Sequence, residues 1–150
     1  MDKTIDTGVA AATSARVEPA RQAYHLLHWG FVAAPTIAGL DKFAHLLTNW
    51  DQYLARPIER LLPMSGHAFM LLVGVVEILA GLLVAVRPRI GAWVVAAWLF
   101  GIIVDLLLVS GFYDIALRDF GLMLAAIALA RLSATYDRGA SRTRIAARRV

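Results

Sequence analysis

A chain of 150 residues that is 59% hydrophobic and 17% charged lies well below the roughly 25% charge of soluble domains. Its mean hydropathy of +0.64 points the same way, toward one membrane domain with room for about four spanning helices of roughly 20 residues each. The absence of cysteine excludes disulfides, thiol redox chemistry and thiolate-held metal clusters, and the formal net charge of +4 matters chiefly through where the charges fall.

Residues 1–23, MDKTIDTGVAAATSARVEPARQA, are small and polar. They lack the apolar core of a signal peptide and read as a flexible N-terminal segment. Four apolar segments follow, at about Tyr24–Leu47, His67–Val86, Ile90–Val109 and Ile115–Leu132. The second contains FMLLVGVVEILAGLLVAV, with Glu77 as its one charge; a soluble bundle would need a polar outer face there. RPR at 87–89 and SGFYD at 110–114 are tight turns, and Asp114 is placed to cap the fourth helix. The longest connection, 48–66, carries TNWDQYLARPIERLLPMSG. Its amphipathic middle suits a membrane interface, with Trp50, Tyr53 and Tyr113 as an aromatic belt. Gly74, Gly81, Ala92, Ala96 and Ala97 are small enough for helices to approach closely. The fold class expected is therefore all-α, an integral membrane four-helix bundle over residues 24–133, followed by a basic tail at 134–150.

Orientation follows from Lys and Arg. Lys3, Arg16, Arg21, Arg87, Arg89 and the arginines from Arg131 onward fall on one side; Lys42, Arg56, Arg60 and Arg118 fall on the other. The positive-inside rule then puts both termini in the cytoplasm of a bacterial inner-membrane protein. The tail arginines are explained by this orientation, so nucleic acid is not an expected partner. The expected partners are the lipid bilayer, a protein docked on the loop at 48–66, and a second copy of the chain.

Within the apolar segments the ionisable residues gather in the outer half. Asp41, Lys42 and His45 lie near the outer end of the first helix, Asp105 near that of the third, and Arg118 and Asp119 about one turn into the fourth. Glu77 is about 15 Å down the second at 1.5 Å per residue. A charge near the bilayer centre costs about 2.5–3.5 kcal/mol even on lenient scales, so these groups are expected to face inward and share one polar pocket. Asp41 and His45 are i, i+4, as are Asp114 and Arg118. Lys42 and Arg118 cannot by themselves neutralise Asp41, Glu77, Asp105 and Asp119, so a shared pocket requires bound protons, a charged His45 or another cation. The competing reading has Lys42 and Arg118 snorkelling to the interface and Asp105 bonding across helices. Trp93 and Trp98 read as packing or lipid-facing residues. No zinc-type histidine pair or Glu-x-x-His repeat occurs, so no metal site is assigned.

GLDKF (39–43), VGVVEILAGLLVAV (73–86), RPRIGAW (87–93) and RDFGLMLAA (118–126) together resemble the DoxX-like group of small four-helix bacterial membrane proteins, over roughly residues 24–133. The resemblance implies that Lys42, Glu77 and Asp119 belong to a shared polar centre. It also implies a place in membrane redox or stress systems, with a quinone as the cofactor to consider. TNWDQYL (48–54) departs from the group's pattern, so no sulfur substrate is carried over. Three function classes stay open: a subunit binding quinone or another small amphiphile, where Lys, Arg or His would donate to a carbonyl and Glu or Asp would exchange the proton; a proton- or ion-coupled transporter component; and a non-catalytic assembly partner. Whether any reaction is catalysed is not legible.

Overall fold

Helix ends in this chain are set by a few local signals. The computed structural model describes the backbone of residues 3–109 and 111–147 and the side chains of residues 19–109 and 111–136. Its helices are α1 (Lys3–Ala44), α2 (Arg56–Glu59), α3 (Gly66–Val86), α4 (Pro88–Leu108) and α5 (Tyr113–Ala147), with a 3₁₀ turn at Trp50–Tyr53. There is no strand among the described residues. Ser65 caps α3, its Oγ accepting from the Ala68 N–H at 3.2 Å, as expected for a hydroxyl at a helix start. Arg87 alone separates α3 from α4, and Pro88 opens α4, where its missing N–H costs nothing. Asp114 sits in the first turn of α5 rather than at its cap, still where a carboxylate favours the helix dipole.

Three boundaries differ from the sequence reading. α1 begins at Lys3 and α5 runs to Ala147, so helical backbone extends through segments expected to be flexible or tail; both are rich in alanine, the best helix former. At its other end α1 stops at Ala44 although the apolar pattern continues through Leu46 and Leu47. His45 adopts φ 52°, a left-handed conformation that ends a helix, and the Asp41 carboxylate takes the Leu46 and Leu47 N–H groups.

α1 packs on α3 and α4 on α5, and narrower seams between α3 and α4 and between α1 and α5 join the two pairs. Glycine sets the first contact. A Cβ on Gly39 would lie 2.5 Å from the Gly74 carbonyl oxygen, and one on Gly74 would lie 2.8 Å from that of Gly39. One apolar core, including Phe31, Val84, Ala92, Ala126 and Leu129, fills the end where α3 turns into α4. A smaller one, Leu54, Met70 and Val73 with Trp50, Ile58 and Trp98 against it, lies under the α1–α3 connector. That connector folds back as a cap, with Leu54 and Ala55 buried, rather than lying flat as an amphipathic strip. Trp50 and Tyr53 are half-buried with it, while Tyr113 is exposed.

The outer faces are apolar on every long helix: Ile37 and Leu40, Leu79 and Leu82, Trp93 and Phe100, Leu117 and Phe120 are all exposed. α3 and α4 are each 21 residues long and apolar enough to cross a membrane, and only 33% and 28% of their apolar windows are buried. The apolar stretches of α1 and α5 are interrupted by Asp41 and Lys42 and by Arg118, Asp119 and Arg131.

Candidate functional site

Between the two apolar cores lies a polar layer. Asp41, Lys42, Glu77 and Asp119 are exposed by 5%, 3%, 8% and 5%, levels that charged side chains reach almost only when paired. The Lys42 Nζ donates to Glu77 Oε2 at 2.6 Å, joining α1 to α3. The same ammonium lies 3.7 Å from the centre of the Trp50 ring, so one cation is held by a carboxylate and an aromatic face. Asp119 on α5 is near enough to Glu77 to repel it and is bound by its neighbour Arg118, whose Nε and Nη2 each lie 3.1 Å from Oδ1. Trp98 comes from α4. Its indole Nε1 is buried with no acceptor in hydrogen-bonding geometry, although Glu77 is the carboxylate near it. Each long helix thus brings one residue to the centre: Lys42, Glu77, Trp98 and Asp119.

The other residues expected in the pocket are elsewhere. Asp41 is buried but turned to the connector. Its carboxylate accepts from Leu46 N, from Leu47 N and, at 2.8 Å, from the Trp50 indole. Adjacent residues on a helix point about 100° apart, so Asp41 and Lys42 serve different partners. His45 is not on a helical face with Asp41, because the helix has ended. It is exposed and stacks on His67, ring centres 5.6 Å apart, while His67 meets Asp51 at 3.0 Å. Asp105 accepts the Ala55 N–H at 2.9 Å, pinning the cap to α4. The Arg118 side chain is 64% exposed and lies at the rim.

The charge imbalance expected of one shared pocket therefore does not arise. Glu77 and Asp119 share the centre, where Glu77 takes Lys42 and Asp119 takes Arg118, while Asp41 and Asp105 are held apart from them by neutral N–H donors. The sequence reading missed Trp50 and Trp98. The Asp41–Trp50 spacing across a helix end carries no periodic signal, and Trp98 is one of several tryptophans in apolar sequence.

A quinone carbonyl would take its hydrogen bond from a Lys, Arg, His or Trp donor. Lys42 is turned to Glu77 beneath Trp50, His45 and Arg118 are outside, and the buried Trp98 Nε1 and His28 Nδ1 have no hydrogen-bond partner. No group of three metal-ligating side chains occurs among the described residues. Compared with family models, with characterised proteins and with solved structures, the chain gives no match.

Proposed function

We propose that this chain is a multi-pass protein of the bacterial inner membrane, of the DoxX-like kind. In this reading both termini are cytoplasmic, and the protein acts as a non-catalytic assembly subunit that presents the 45–65 cap to a partner protein. The carrying observation is how the polar residues are used. Asp41 and Asp105 hold the cap backbone through Leu46, Leu47 and Ala55, and Trp50 links Asp41 to the Lys42–Glu77 pair. Asp41, Asp105 and Trp50 together fix that one surface. The membrane part is supported by the inverted distribution of polarity, with exposed leucine and phenylalanine outside and charge inside. A core helix of a soluble protein would be mostly buried, and α3 and α4 are not.

A photo-crosslinking amino acid placed at exposed Gln52 or Arg60, with Leu79 and Phe100 as controls, tests the proposal in cells. A discrete protein adduct from the cap positions alone is expected. An adduct of twice the chain's mass would make the partner a second copy. No adduct from the cap would refute the assembly role. A second reading, a small amphiphile bound at the centre, has one observation in its favour: the unpartnered Trp98 Nε1.

A further inference from the structure

The apolar outer stripe of α1 does not stop where the helix does. Ile37, Leu40 and Phe43 are exposed along it, and beyond Ala44 the chain continues with Leu46 and Leu47, exposed by 84% and 68%. Past a helix end the backbone has no helical ladder to use, so amides there turn to water or to side chains. Here they are paired internally. The Asp41 carboxylate accepts the Leu46 N–H at 3.0 Å and the Leu47 N–H at 3.1 Å from each oxygen, and the His45 N–H returns to the Asp41 carbonyl at 2.7 Å. These bonds hold the backbone of both leucines against the last turn of α1. Polarity changes at the next residue. Thr48, Asn49, Asp51 and Gln52 follow. Asn49 and Gln52 are exposed, and Gln52 Nε2 donates to Thr48 Oγ1 at 3.0 Å.

We propose that Leu46 and Leu47 form a lipid-facing edge of the cap, their side chains among the acyl chains of the outer leaflet and the water boundary at Thr48 and Asn49. This rests on the membrane reading above. The occupant follows from what the backbone requires. Water would satisfy the two leucine amides, and a protein docked there would bring acceptors of its own; acyl chains bring none, and an unpaired amide beside hydrocarbon is costly. A buried carboxylate that takes up both exposed amides is the arrangement contact with lipid demands. The leucines also extend the stripe of Ile37, Leu40 and Phe43, the lipid face of α1 in the same reading. The part of the cap open to a protein partner is thereby confined to the polar side beyond Thr48.

The chain has no cysteine, so Leu47→Cys, Gln52→Cys and Leu79→Cys can each carry a single fluorophore. In phosphatidylcholine nanodiscs, whose two faces are both open to water, quenching by lipids with a nitroxide high on the acyl chain is compared with quenching by dissolved iodide. The label at position 47 should be quenched more by the lipid nitroxide than by iodide, and the label at position 52 the reverse. Iodide quenching at 47 as strong as at 52 would overturn the proposal. So would shielding of 47 from both quenchers, which would make the leucines a contact with a second copy of the chain. Strong iodide quenching at 79, on the outer face of α3, would instead refute the membrane reading, so the two failures are distinguishable.

Discussion

Replacing Lys42 by methionine keeps an unbranched side chain one atom shorter and removes its charge. At 2.6 Å and an effective dielectric of about 20, the attraction to Glu77 is about 6 kcal/mol, and desolvating two ions to exposures of 3% and 10% offsets most of it. The pair is thus worth little against an apolar pair of equal volume. Breaking it from one side is a different matter, because Glu77 would stay buried and uncompensated at a cost of about 3–5 kcal/mol. Loss of the ammonium over Trp50 adds about 0.5–2 kcal/mol. At about 2–4 °C per kcal/mol for a chain of this size, Lys42→Met should lower the unfolding midpoint by roughly 7–28 °C, read as loss of the monodisperse peak after heating in detergent. Lys42→Met with Glu77→Leu should recover most of that loss, giving a coupling energy of about 2 kcal/mol or more in the double-mutant cycle. Additive single effects would refute the pairing and with it the structural role assigned to the centre.

Other expectations follow from single contacts. Gly39→Ala places a methyl group against the Gly74 carbonyl and should cost more than about 1 kcal/mol, whereas Gly101→Ala, with nothing within 4 Å, should gain up to about 1 kcal/mol of helix propensity; thermal midpoints in detergent separate the two. Asp105→Ala leaves the Ala55 N–H unpaired and should cost about 1–3 kcal/mol, with faster amide exchange confined to the cap around residues 54–56. Trp50→Phe keeps an aromatic ring over Lys42 but removes the donor to Asp41, for a loss of about 1.5–3 kcal/mol; Trp50→Leu should lose more on the same thermal assay.

Much of the architecture is readable from apolar run length. The expected spans His67–Val86 and Ile90–Val109 differ by one or two residues from α3 and α4, because Ser65, Arg87 and Pro88 punctuate them with side-chain and backbone chemistry. The first helix shows the limit of that method. Leu46 and Leu47 continue its pattern, yet the helix stops at Ala44 because the Asp41 carboxylate accepts their N–H groups. A termination made by a side chain reaching forward leaves no mark on periodicity. The same is true of the site. Burial of Asp41, Lys42, Glu77 and Asp119 follows from the depth of charge in apolar sequence, but depth does not say which neighbour each one faces. Lys42 found Glu77 across 35 residues of chain, and Asp105 found a backbone amide 50 residues away; both depend on how the connector folds back, and its capping role comes from tertiary packing of Leu54 and Ala55.

In the proposed function the polar centre is a filled structural layer whose charges are paired. Native mass spectrometry with lipid identification on gently solubilised wild type and Glu77→Gln tests this most directly. It predicts that the two proteins retain the same set of small molecules, any lipid included, and differ in stability alone. A stoichiometric small molecule held by the wild type and lost in Glu77→Gln would contradict it, and would make the centre a ligand site built around Glu77 and Trp98.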